Sequence, residues 1–453
     1  MAAHARFRFK DQASLLEKIR SLDLDIPFSQ DIDILFRPAK VNGRTLANRV
    51  AVLPMEGADA APDGRPTELT FRRYKRFAQG GSGLIWFEAT AVVAEGRSRA
   101  NQLWLNARTL SGFRELVEET RLSAPRGGAD GPPLLILQLH HAGRFARPDG
   151  ERTPVVVHHN PHLDPRLGIP SDHPLCPDAA LDRLIDDYVG AARLAAEAGF
   201  DGVDVKACHG YLVSDLLASH RRTDSRYGGS FEDRSRFMLD IVRRIRREVP
   251  DILPACRLGV FDGIPFPYGF GVDHVDERRE DLSEPAALVG KLKDLGVSLV
   301  SLSLGVPFLK PHLSRPYDLV HRGDPPPDEH PLEGIGRLMR LTGELQRRFP
   351  DLVVVGAGYS WLRQFWPQAA AGALSRDRAS VVGLGRAALA YPEALPDLSA
   401  EGRLRADRVC LTCSRCAEML HNGRRVGCPV RDKEIYAAEY KLLDRARTRP
   451  DQR

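Results

Sequence analysis

Short, nearly continuous apolar runs recur along the chain at 50–55, 84–88, 134–140, 203–206, 255–260, 299–303, 353–356 and 381–385. They are rich in Val, Leu and Ile and carry few polar positions, the pattern of parallel strands covered on both faces. Amphipathic stretches lie between several of them. Residues 180–198 place apolar side chains at helical spacing and stop at Gly199. Residues 231–249 do the same, led by Gly228 and Gly229, with Ser230 as an N-cap candidate and Asp233 three positions on. Strands and helices in alternation predict an α/β fold, a (β/α)8 TIM barrel enlarged by insertions.

The ends of the chain and two internal segments fall outside this rhythm. Residues 11–24 predict a short amphipathic helix leading in. Segments 142–178 and 304–334 lack periodicity and follow the third and sixth strands, where long loops bind or cover ligands. The expected organisation is a helical lead-in over 1–33, a barrel over 34–400 and an extension over 401–453.

Composition narrows the class. Of 453 residues, 43% are hydrophobic and 28% charged, which suits a folded domain and excludes a disordered chain. Lys plus Arg is 65 against 60 acids, and the net charge of +5 is spread along the chain, so no nucleic-acid surface is expected. The run Arg243–Arg247 is read as a solvated helix face. No apolar run reaches the roughly 18 residues of a membrane span, and the charged N-terminus lacks the apolar core of a secretory signal. The expectation is a cytoplasmic protein with no membrane partner. Of seven cysteines, Cys410, Cys413, Cys416 and Cys428 cluster, which points to metal or redox chemistry. Cys208 and Cys256 lie in apolar runs and read as packing residues.

Barrel chemistry gathers where strands end at their C-terminal face. The first strand ends in Pro54-Met55-Glu56-Gly57, the third carries Gln138 and the fifth Arg257. Gly356 and Gly358 after the seventh strand, with Gly385 and Arg386 after the eighth, read as a phosphate cradle. A dinucleotide fingerprint is the competing reading; it lacks the following strand with its acidic residue. Lys206, His209 and Tyr211 converge if the fourth strand ends and the chain turns at Gly210. Tyr211 is then a candidate proton donor, with Lys206 and His209 polarising a carbonyl. His158, His159 and His162 read as a solvated loop or substrate rim.

The stretch DGVDVKACHGYLVSDLLASHRRTDSRYGGSFEDRSRF at 201–237 resembles the signature of the Old Yellow Enzyme, or NADH:flavin oxidoreductase, family. The similarity extends to NGRTLANRVAVLPM, GGSGLIWFEAT, HAGR, Arg257, VVVGAG and GLGRAALAYPE, over about residues 34–398. The resemblance implies FMN at the barrel mouth, with Pro54, Met55 and Ala89 against the flavin and Glu56 beside it. It implies Gln138 and Arg257 at the pyrimidine edge and Gly356, Gly358, Gly385 and Arg386 at the phosphate. His209 would anchor a small-molecule substrate with an activated C=C bond, Tyr211 would give it a proton, and NAD(P)H would supply hydride.

Two positions depart from the family pattern. Lys206 stands where an imidazole is common, and Glu56 where Thr or Cys is common. Two odd charges in a desolvated site need partners, so an ion pair between them is expected, together with a more anionic acceptor. The set Cys410-x2-Cys413-x2-Cys416-x11-Cys428 lies just after the barrel, a position similar to that in the iron–sulfur branch of the family, which includes 2,4-dienoyl-CoA reductase and trimethylamine dehydrogenase, and is one residue shorter in its second gap than the x2-x3-x11 spacing usual there. It suggests a [4Fe–4S] cluster, with zinc or unligated thiols as alternatives. That branch continues into a nucleotide-binding domain, for which the sequence given leaves no room. Two other classes compete: a class I aldolase-like barrel with Lys206 as Schiff base, and a barrel with a zinc-held docking tail. The sequence leaves a monomer or a homo-oligomer open.

Overall fold

The computed structural model describes residues 4–125, 131–320 and 325–448. Residues 1–3 of the lead-in, 321–324 of the loop after the sixth strand and 449–453 of the extension lie outside the described residues. The eight barrel strands are β1 (Val50–Val52), β2 (Leu84–Ala91), β3 (Leu134–His140), β4 (Gly202–Val205), β5 (Leu253–Gly259), β6 (Leu299–Ser303), β7 (Val353–Gly356) and β8 (Val381–Leu384). They close in sequence order, every neighbouring pair parallel, with β8 against β1. This is the (β/α)8 barrel that the apolar runs predict.

Two strand ends differ from the expectation by three residues, for local reasons, and the other ends fall within two residues of it. β1 stops early: the Leu53 N–H still donates to the Leu384 carbonyl at 2.9 Å, but Pro54 has no N–H to continue the ladder. β2 runs on to Ala91 because a bulge between Phe87 and Ala89 resets its register against β3. The bulge falls on Glu88, whose carboxylate turns toward the loop after β1.

Side chains alternate across the barrel wall. Leu84, Trp86, Leu134, Ile136, Val353 and Val355 fill the interior, while Ile85, Phe87, Leu135, Leu137 and Val354 meet the helices. The helix predicted over 180–198 spans Asp178–Glu197, with Gly199 just beyond at φ 93°. The helix predicted over 231–249 spans Phe231–Glu248, and the Ser230 hydroxyl accepts from the Asp233 N–H at 3.2 Å. The lead-in helix spans Gln12–Ser21. Among the described residues no helix is long and apolar enough to cross a membrane.

A hairpin of Ala39–Val41 and Arg44–Leu46 puts Val41 and Leu46 into the interior cluster. Its Arg44 bonds Asp201 and the Asp251 carbonyl, just ahead of β4 and β5, so it plugs the N-terminal end and leaves the C-terminal end open. The extension folds back over that open end. The Val426 N–H donates to the Gly57 carbonyl at 2.7 Å, Arg99 donates to the Leu420 carbonyl at 2.6 Å, and Arg72 and Arg76 both hold Asp432 at 2.7 Å. Met419, Val426 and Tyr436 pack with Ala58 beneath these bonds.

The loop after β1 hangs on a buried ion cluster. Arg73 lies between Asp59 and Glu88, 2.5 Å from each, and Glu88 accepts the Gly57 N–H at 2.7 Å. Burial lifts the Glu88 carboxyl to about 7 against the pull of Arg73. Replacing the cation strands two buried acids. Arg73→Met is expected to lower stability by about 3–5 kcal/mol, measured as a drop in the denaturation midpoint.

Candidate active site

A cavity of about 920 Å³ opens at the C-terminal ends of the strands. Its floor is organised by Asp204 of β4, which is wholly buried. The Asp204 carboxylate accepts from Trp86 Nε1 at 2.9 Å, Gln138 Nε2 at 2.6 Å and the Arg257 backbone N–H at 2.7 Å. It therefore fixes both floor residues, Gln138 and Arg257, from one point. Burial raises its pKa to about 6 although three donors oppose the shift. The Arg257 guanidinium reaches the Pro54 carbonyl at 3.4 Å and keeps a buried Nε with no acceptor.

The turn after β4 delivers the predicted trio. His209 takes φ 69° and Gly210 φ 75°, which reverses the chain and brings Lys206, His209 and Tyr211 to one cavity wall. His209 Nε2 bonds Ser303 Oγ at 2.7 Å. Its pKa is driven well below the usual imidazole value by burial and by Arg257 and Lys206, so the ring is neutral. Lys206 Nζ lies 4.2 Å from the centre of the Tyr211 ring, which also stands edge-on to His140 at 4.5 Å. Burial and the charge of Glu56 push the Tyr211 phenol above its ordinary value, so it holds its proton.

The expected ion pair is present. Lys206 Nζ lies 3.8 Å from Glu56 Oε1, and Arg99 Nη2 lies 3.3 Å from Glu56 Oε2. Both are charge contacts without hydrogen-bond geometry, in side chains 10% exposed or less for Glu56 and Lys206. Burial lowers the Lys206 pKa and Glu56 opposes that shift.

On the opposite wall, Gly358 at φ 96°, Gly385 and Arg386 line the cavity. Arg386 donates to the Pro316 carbonyl at 2.6 Å and leaves a buried Nη1 with no acceptor. Pro54 and Met55 line the cavity as well. Two residues of the expected set do not. Ala89 is buried in β2 with its carbonyl taken by Gln102, and Gly356 ends β7 facing the Tyr359 hydroxyl.

The extension supplies the remaining wall through Cys416, Leu420 and Val426. Its four cysteines form no disulfide among the described residues, and three of them, Cys410, Cys416 and Cys428, feel the charges of their neighbours in the set. Burial lifts Cys410 to about 12 and Cys428 to about 11. Among the described residues no three His, Cys, Asp or Glu side chains gather as ligands of one ion. The histidine loop also departs from its reading: His158 is buried and bonds Asp215, which with Asp164 holds the buried Arg144.

Sequence reasoning missed Asp204, Arg99, Ser303 and His140. Asp204 carried a signal, as an acid inside an apolar strand. Arg99 and Ser303 carried none, since their partners lie far away in sequence. Asp204→Asn turns one acceptor into a donor facing donors, and is expected to cost about 1–3 kcal/mol in chemical denaturation. Because burial raises the folded pKa above the unfolded one, wild type gives up stability as pH rises through about 6. The deficit of the variant is therefore smaller above about pH 7 than near pH 4.

Comparison with known proteins agrees with this geometry. The family model of the NADH:flavin oxidoreductase / NADH oxidase family matches residues 34–277. An NADH oxidase of Thermoanaerobacter brockii is 28% identical over 384 residues, 84% of this chain and 52% of that protein, so the chain spans about half its length. An NADPH dehydrogenase of Geobacillus sp. (strain WCH70) is 31% identical over 280 residues, 60% of this chain and 73% of that protein. A 2-naphthoyl-CoA reductase structure superposes with a TM-score of 0.69 at 20% identity, covering 90% of this chain and 58% of that one, a likeness of fold. The chain belongs to the NADH:flavin oxidoreductase / NADH oxidase family.

Proposed function

We propose that the protein is an FMN-dependent oxidoreductase that takes hydride from NAD(P)H and delivers it to an electron-poor alkene, with Tyr211 as proton donor. The observation that carries this reading is the convergence, in one cavity, of the Gln138–Arg257 floor, the glycine and arginine wall and the Lys206–His209–Tyr211 turn. The residues fit the cofactor. Arg257 and Arg386 each keep a buried N–H with no acceptor, and Gly385 leaves open the space against Met55, where a Cβ would come within 3.1 Å of its sulfur. Bound FMN supplies the two-electron chemistry that links a nicotinamide donor to an alkene acceptor.

The chain's own groups do the rest. Gln138 and Arg257 would hold the pyrimidine edge, with Arg257 placing positive charge there, and Gly358, Gly385 and Arg386 would hold the phosphate. His209, neutral and fixed by Ser303, would donate to an acceptor carbonyl. Tyr211 would give its proton to the alkene carbon, with the Lys206 cation close by as negative charge grows on the phenol oxygen. A Schiff-base role for Lys206 is disfavoured by its pairing with Glu56, and a separate docking tail by the cavity wall the extension forms.

The four cysteines do not fit a zinc ion as they stand, since no three converge on one point. The spacing of the cysteines in the sequence is what supports a [4Fe–4S] cluster over zinc here. Anaerobic purification followed by metal analysis is expected to find iron with equal acid-labile sulfide; zinc in their place overturns the cluster.

Tyr211→Phe is expected to leave reduction of the flavin by the nicotinamide nearly intact and to slow alkene reduction by about a hundredfold to ten-thousandfold. Stopped-flow measurement of the two half-reactions checks this, and an equal loss in both contradicts the proton-donor role.

A further inference from the structure

Seven cationic side chains line the cavity, and Glu56 is its one lining carboxylate among the described residues. Glu56 is already shared by Lys206 and Arg99. Arg257 and Arg386 face the places assigned to the cofactor. Arg147 and Arg152, on the loop after β3, have no such role.

Arg152 lies in the exposed outer part of the cavity, and Arg147 is half-buried in its lining. The segment from Asp149 to Thr153 is exposed, whereas Gln138, Lys206 and His140 at the floor are buried. The backbone holds Arg147 in place, its N–H donating to the Arg97 carbonyl and its carbonyl accepting from Gly150. Its side-chain Nε is buried with no acceptor. The nearby Asp149 pairs instead with Arg97 at 3.7 Å. Neither Arg147 nor Arg152 makes an ion pair among the described residues. Arg152 is partly desolvated and sits within the field of Arg147, which lowers its pKa. Two like charges kept together without a counter-ion, facing a cavity, form a standing demand for an anion. Phe145, Leu167 and Phe308 give the space between rim and floor an apolar lining.

We propose that Arg147 and Arg152 form an anion subsite at the cavity rim, which receives the carboxylate or phosphate of a small molecule whose reacting end lies at the floor beside Tyr211. The proposal rests on the flavoenzyme reading for the identity of that reacting end. The anion has two sources of the same chemistry: an acid group on the alkene acceptor, or the extra phosphate that distinguishes NADP from NAD.

Titration calorimetry on the purified full chain separates them. The ligands are trans-3-benzoylacrylic acid against its methyl ester, and NADP+ against NAD+. Wild type is expected to prefer the anionic member of one pair by about tenfold or more, and added salt should erode the preference. The pair that shows it names the source. Arg147→Gln with Arg152→Gln should bring the ratio close to one by weakening only the anionic member, and Arg147→Lys with Arg152→Lys should retain most of it. No preference in either pair, or a preference that survives the double Gln variant, overturns the subsite. The visible spectrum of the same preparation reports flavin independently, so a colourless protein refutes the flavoenzyme reading while the calorimetry still decides the subsite.

Discussion

One buried carboxylate sets the geometry on which the site depends. Asp204 sits inside the barrel and gathers three N–H donors, from β2, β3 and β5. An unpaired charge there would be expelled or neutralised, so the three donors and the acid hold one another in register. The two residues that would read the flavin edge, Gln138 and Arg257, are thereby placed by one group. The raised pKa of Asp204 shows that the donors offset only part of the desolvation. Catalytic geometry and barrel stability are coupled at this point.

A second constraint works on the loop after β1. Gly57 donates its N–H to Glu88 and its carbonyl accepts from the Val426 N–H, so it joins the buried Arg73 cluster to the C-terminal extension. A Cβ at this position would lie 2.1 Å from the Arg73 guanidinium, which leaves glycine as the residue that fits. Glu56 is the neighbouring residue and carries the charge that Lys206 and Arg99 share. The extension therefore acts on the site in two ways, through the wall it forms and through the backbone that aims Glu56.

What could be read in advance follows the range of the interactions. Strands such as Leu299–Ser303 and Val353–Gly356 were legible because a strand covered on both faces leaves an unbroken apolar run. The Glu56–Lys206 contact was legible because two charges that depart from their surroundings must find each other. Asp204 could have been weighed in the same way. Arg99 could not, since only the closed fold brings it to Glu56, and the seat of the extension on Gly57 joins residues at opposite ends of the chain. The cysteine spacing was plain, but spacing does not fix where thiols point. Ala89 pairs in register with Gln138 of β3, on the interior side, and is buried beneath the cavity lining, a depth that no pattern along the sequence marks.

The substitution of an ammonium for an imidazole beside Tyr211 changes how a proton could be delivered. A lone buried lysine against the phenol would favour phenolate and lose its own proton in the attempt to escape desolvation. Glu56 counters both tendencies: it supports the charge on Lys206 and raises the phenol pKa. In the resting site the proton thus stays on Tyr211, with Lys206 Nζ 4.2 Å from the ring centre. Under the proposed reaction the phenol oxygen gains negative charge only as the proton leaves, and the cation is already in place to meet it. Stabilisation that grows during the step, without being spent in the resting state, is what lowers a barrier. The pair Glu56–Lys206 is in this sense a single element, and neither member can be judged as an isolated departure from the family pattern.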